Sequence, residues 1–251
     1  MVSSKNLPIV IKRRSHVDCC FHLVAQIQIP LSCILFFYDR GKHTPPGDEE
    51  FRLSHKTHND ANVNASDILP AVTIRDPLVW LQSMCRHEYA AHWKHDKEHC
   101  PNFEISEENP DLSNEVHYAE FTRHHDSILH LWNDYYNEYL NVPFHRLIVR
   151  FEDLIFFPEQ VTETVCKCAG GSMNLNGVFK YVVDSAKKGA AAHGKVRTGY
   201  VDAIIKYGSA KNRYKGYKTV QDLQYITDHV DPNLMNIFHY LYPDLNALQE
   251  Q

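Results

Sequence analysis

Arg75 and Ser83 are the residues whose types and spacing first suggest chemistry in this sequence. Arg75 closes a short apolar run, Ala71-Val72-Thr73-Ile74, and Asp76-Pro77 follows at once. The run reads as a buried strand, Asp76 as an N-cap and Pro77 as the first residue of a helix. Leu78, Leu81, Met84, Cys85 and Tyr89 then recur at helical spacing. Strand–turn–helix joins of this kind hold anions, because the first-turn N–H groups, the helix macrodipole and a planar guanidinium all point to one place. Ser83 lies eight residues after Arg75, nearly two turns into the helix, so its hydroxyl joins that pocket only if the loop curls back. A plainer alternative pairs Arg75 with Asp76 or sets it on a sheet edge, leaving Ser83 an ordinary helix residue.

Two other clusters carry reactive groups. His92, His95, His99 and Cys100 are close enough in sequence to make a zinc site conceivable. A charged, solvated helix end is the favoured reading there, since neither HExxH nor a paired CxxC accompanies it. Gly41-Lys42-His43-Thr44 resembles the tail of a phosphate-binding loop, but the upstream glycine is missing and Pro45-Pro46 would stop the helix that should follow. The seven cysteines are odd in number and irregular in spacing, which predicts no disulfide framework and leaves the redox compartment open.

These groups must be positioned by something larger. At 251 residues, with 43% hydrophobic and 23% charged residues, the chain has the make-up of one large α/β domain or a domain with an extension. A formal net charge of −5 argues against bulk binding of nucleic acid, although 17 histidines shift that charge upward as pH falls. Residues 1–53 are poorly patterned. Within them the semi-apolar run 17–38 follows Lys12-Arg13-Arg14 and has the length of a weak membrane anchor, yet Asp18, His22, Gln26, Gln28, Pro30 and Ser32 oppose insertion. A buried strand over residues 31–37 is the alternative. Residues 39–67 read as loop, with a short strand at Phe51-Arg52-Leu53.

From Glu115 to Asn141 the spacing of Ile128, Leu129, Trp132, Tyr135, Tyr136, Tyr139 and Leu140 predicts one long helix, ended by Pro143. Arg146-Leu147-Ile148-Val149-Arg150-Phe151 reads as the next buried strand. A helix follows with Pro158 as its first residue and Gly170-Gly171 as its stop. Repetition of strand, turn and helix favours a parallel β-sheet flanked by helices. Beyond it a short helix is expected over 177–187, then a small-residue loop, Gly189 to Gly194. The basic stretch holding Lys195, Arg197, Lys206, Lys211, Arg213, Lys215 and Lys218 is read as a loop. Thr219 is expected to cap a helix from Val220 to about His229, and Asp231-Pro232 to open a final one.

Four segments, in order, resemble the sulfotransferase family, which moves a sulfuryl group from 3′-phosphoadenosine 5′-phosphosulfate to an acceptor hydroxyl. Lys56-Thr57-His58 is similar to the family's KTH stretch, which makes His58 the implied general base. Arg75-Asp76-Pro77 with Ser83 resembles its 3′-phosphate motif, which implies that Arg75 and Ser83 hold that phosphate. The strand running into Phe151-Glu152-Asp153-Leu154 resembles the one whose aromatic residue, here Phe151, lies against adenine. Arg213-Tyr214-Lys215-Gly216 is similar to the basic loop that closes over the nucleotide, which implicates Arg213, Lys215 and Gly216. The likeness spans roughly residues 54–243. It implies a P-loop NTPase-like sulfotransferase fold over 54–251, the nucleotide sulfate as co-substrate, no metal, and a hydroxyl acceptor such as a glycan or small alcohol.

One family feature is missing: no glycine-rich PKSGTT or KxGTT sequence, whose lysine and amides hold the 5′-phosphosulfate, occurs in residues 1–53. That charge needs preorganised donors, and loss of one alone costs about 10²–10³ in rate. The chain is therefore expected to be a truncated or mispredicted product of a longer gene with an N-terminally incomplete fold, or else a non-catalytic nucleotide-binding relative, or Lys42 or Lys56 to substitute in part. The implied compartment is the cytoplasm or the Golgi membrane, according to whether 17–38 is an anchor.

Overall fold

The computed structural model describes residues 71–86, 91–96, 98–117, 121–143, 146–168, 179 and 199–248. His58, Lys42, the 17–38 run, Tyr89, Gly170-Gly171, the 177–187 helix and the 189–194 loop lie outside them. The chain divides into two compact units, with a boundary between Ile74 and Arg75.

The first unit is α/β. Its strands are β1 (Ala71–Ile74) and β5 (Leu147–Arg150), which pair in parallel with Val72 opposite Ile148 and Ile74 opposite Arg150. The expected parallel pairing of these two runs is therefore observed. β5 passes directly into α3 (Phe151–Phe156), and α4 (Pro158–Cys168) follows with proline at its first position, as its sequence predicts. α5 (Tyr200–Gly208) returns onto α3: the Phe151 and Tyr207 rings meet edge to face at 5.1 Å, and the Tyr200 hydroxyl donates to the Ile155 carbonyl at 3.0 Å. Ile74, Leu147, Ile155, Val161 and Cys166 are buried. The stretch around Lys206, expected as part of a basic loop, is helical.

The second unit begins with α1 (Pro77–Arg86) and contains the antiparallel strands β2 (Ala91–His92), β3 (Asn114–His117) and β4 (Thr122–His125). α2 (Ile128–Asn141), α6 (Ala210–Tyr214), α7 (Val220–His229) and α8 (Pro232–Ile237) complete it. Two expectations are corrected here. The helix expected from Glu115 starts only at Ile128, because Ser127 caps it by accepting from His130 N at 3.2 Å. The residues before it form the β3–β4 hairpin, in which Asn114 and Val116 are buried while Glu115 and His117 turn outward. The supposed helix end at residues 92–100 is instead β2 followed by a loop.

A further correction concerns the cysteines. Cys85 and Cys100 form a disulfide, with Cα atoms 5.7 Å apart and a sequence separation of 15. An irregular cysteine count says nothing about such a pair, because proximity of this kind arises only from tertiary folding.

The core of this unit gathers on α2. Leu129, Leu131 and Trp132 are fully or almost fully buried, as are Leu78, Leu81 and Met84 of α1 and Leu223 and Ile226 of α7. Polar side chains fix the helix ends. Asn133 Nδ2 donates to the His229 carbonyl at 2.8 Å, and its Oδ1 accepts from Asp231 N at 2.9 Å. α7 and α8 begin where their sequence predicts: Thr219 and Asp222 form a reciprocal capping box, and Asp231 accepts from Asn233 N and Leu234 N ahead of Pro232. Among the described residues no helix is long and apolar enough to cross a membrane.

Candidate functional site

Arg75 enters the second unit directly after β1. Its carbonyl accepts from Trp132 Nε1 at 3.1 Å, which fixes the backbone at the mouth of α1 against the buried face of α2. Its guanidinium runs along α1 instead of folding back, and Nη1 donates to Ser83 Oγ at 2.8 Å. No curl of the loop is needed, since the length of the arginine spans the intervening helical rise. The Ser83 hydroxyl in turn donates to the Val79 carbonyl at 3.1 Å and accepts from Arg86 Nη2 at 3.1 Å. Two guanidinium groups thus converge on one hydroxyl, the half-buried Arg75 and the exposed Arg86. Arg86 was not singled out from sequence, although its place three residues after Ser83 on a helix is a signal that could have found it.

Asp76 caps the helix N-terminus, as its place before Pro77 predicts. Asp76 Oδ1 accepts from Leu78 N at 2.9 Å and Val79 N at 3.4 Å, so its own carboxylate answers the first-turn amides and the positive end of the dipole. The first-turn amides are thus answered within the helix, while the two arginines meet at the serine. Asp76 also pairs with Arg213, whose Nε donates to Asp76 Oδ2 at 2.8 Å, with both side chains largely buried.

Arg213 is well occupied. Its Nη1 donates to the Tyr214 hydroxyl at 2.9 Å and, at 3.5 Å, reaches the Tyr242 carbonyl, while Nη2 donates to the Leu241 carbonyl. Burial disfavours the charged guanidinium, but Asp76 and Tyr214 more than offset it and hold its pKa above the ordinary value. The arginine of the basic stretch therefore ties the mouth of α1 to the C-terminal turn. Lys215 is exposed. Gly216 has a packing reason to be glycine: a Cβ there would fall 2.8 Å from Gln82 Cγ and 3.3 Å from the Cys100 carbonyl. Tyr217 is buried, donates to the Leu78 carbonyl at 2.9 Å, and burial first, then Asp76, raises its pKa well above the ordinary phenol value.

The structure brings Arg75 and Ser83 together and sets Arg213 on Asp76. Phe151 belongs to the first unit, half-buried against Tyr207. The histidine cluster disperses. His95 stacks on Trp93 at 4.4 Å, His99 Nε2 lies 2.8 Å from Asp222 Oδ2, His92 packs against His117 at 4.4 Å, and Cys100 is consumed by its disulfide. Among the described residues no group of three or more histidine, cysteine or acidic side chains is arranged to hold a metal ion. No family model, curated protein or solved structure matches this chain.

Proposed function

We propose that the chain is a sulfotransferase-type protein whose Arg75, Ser83 and Arg86 take the 3′-phosphate of 3′-phosphoadenosine 5′-phosphosulfate. The observation that carries this reading is the convergence of the Arg75 and Arg86 guanidiniums on the Ser83 hydroxyl, at 2.8 and 3.1 Å. A planar guanidinium fork matches two phosphate oxygens, and the hydroxyl between two such forks supplies a further donor once it turns from the Val79 carbonyl to the anion. The order of the KTH, RDP and FEDL segments supports the nucleotide over other anions. Arg213 enters as a positioning residue, because its donors go to Asp76, the Tyr214 hydroxyl and the Leu241 and Tyr242 carbonyls. Sulfuryl transfer to a hydroxyl, a glycan or small alcohol, would follow with His58 as general base.

Binding and turnover are separable. Titration calorimetry with adenosine 3′,5′-bisphosphate tests the first. Wild type is expected to bind and Arg75→Ala to lose more than about tenfold, or 1.4 kcal/mol; a wild type that does not bind ends the nucleotide reading. Incubation with labelled donor and glycan, phenol and tyrosyl-peptide acceptors tests the second. A second reading is a non-catalytic nucleotide-binding relative, and binding without transfer to any acceptor would select it.

A further inference from the structure

Cys85 stands in the last turn of α1, between Ser83 and Arg86 on the chain, and is bonded to Cys100. The segment around Cys100 is itself fixed at several points. His99 Nε2 lies 2.8 Å from Asp222 Oδ2, Phe103 N donates to Asp222 Oδ1 at 2.9 Å, and the Phe103 ring stacks on Tyr225 at 4.6 Å. Asp222 is fully buried and also serves the capping box of α7, so this anchor belongs to the core. On the other side, Gln82 donates to the Asn212 and Arg213 carbonyls at 3.3 and 2.7 Å, and Gly216 fits closely between Gln82 and the Cys100 carbonyl. The disulfide thus joins the end of α1 that carries Ser83 and Arg86 to a loop immobilised on α7.

We propose that the Cys85–Cys100 disulfide is a redox clasp: oxidised, it holds Ser83 and Arg86 in the geometry that receives the anion; reduced, it frees the end of α1. The link to anion affinity rests on the proposed nucleotide site, whereas the clasp itself does not. It forms by thiol–disulfide exchange with a protein or low-molecular-weight disulfide. One cysteine thiolate attacks the donor disulfide and expels a thiolate; the second attacks the resulting mixed disulfide and expels the other. The two cysteines lose two electrons, and the donor leaves as two thiols carrying the two protons. A stable bond of this kind places maturation of the chain in an oxidising compartment. Cys168, a free cysteine at the end of α4, serves as the control.

Peptide mapping of the full chain without reductant is expected to recover a Cys85–Cys100 linked peptide; recovery of both as alkylated thiols from protein matured in an oxidising compartment overturns the clasp. Reduction of the folded wild type should lower Tm by about 6 °C or more, speed amide exchange over residues 79–86, and weaken adenosine 3′,5′-bisphosphate by about fivefold or more. The double variant C85S/C100S should start at the reduced values and ignore reductant, while C168S should respond as wild type does. Unchanged Tm and unchanged exchange over 79–86 on reduction overturn the clasp even if the double variant fails to fold. If wild type does not bind the bisphosphate, the nucleotide reading falls while Tm and exchange still decide the clasp. If it binds with an affinity that reduction leaves unaltered, the nucleotide reading stands and control of the site by the clasp falls.

Discussion

Asp76 is the residue on which most is staked, since one carboxylate caps α1 and neutralises the largely buried Arg213. Asp76→Ala removes both and leaves a buried guanidinium without its counter-charge, which costs about 3–5 kcal/mol. The double replacement of Asp76 and Arg213 by apolar residues should recover part of that loss, and a double-mutant cycle in urea checks it; simple additivity would show that the pair is not coupled. A second titratable cluster lies on the antiparallel sheet, where His92, Glu115 and His124 stand opposite one another across three strands. Glu115 lies 3.1 Å from His117 and 3.2 Å from His124, and the His117 hydrogen bond, then the charges of His124, His117 and His92, hold its pKa below the ordinary carboxylate value. A depressed folded-state pKa means that the cluster's contribution is present above the unfolded pKa and is lost as pH falls through the folded one. Carbon-detected NMR titration should therefore find the Glu115 midpoint below that of a free glutamate, and His117→Ala should raise it.

At the scale of elements, the caps decide where helices start. Thr219 accepts from Asp222 N, and Asp222 Oδ2 accepts from Thr219 N, both at 3.2 Å, so Thr219→Ala should cost about 1 kcal/mol by chemical denaturation. A change within the scatter of exposed-site substitutions would show the cap to be idle. The starts of α1, α4, α7 and α8 were legible because Asp-Pro, Pro and Thr-x-x-Asp are local devices whose hydrogen bonds close within four residues. The β3–β4 hairpin was not legible. Each of its strands has four residues, too few for alternation to stand out, and the strong aromatic spacing of α2 invites extension upstream across Ser127. α5 and α6 were missed for a related reason: the lysines and arginines around them read as a solvated loop, and charge alone does not distinguish a loop from the exposed face of a helix.

At the scale of the whole molecule, the charge balance makes its own prediction. A formal net charge of −5 with 17 histidines gives an isoelectric point near 6.4, so electrophoretic mobility should change sign near that pH and be clearly positive at pH 5. Persistent negative mobility at pH 5 would mean that many histidines stay neutral. The sequence by itself determined the strands Ala71–Ile74 and Leu147–Arg150, the capped helices, and the pairing in prospect of Arg75 with Ser83. Each depends on apolar periodicity or on a polar group acting within about two helical turns. Tertiary structure alone decided that Asp76 takes Arg213 across 137 positions and that Cys85 finds Cys100. The physical reason is reach: an ion pair or disulfide needs only a few ångströms in space, and for distant residues no local pattern in the chain records that distance.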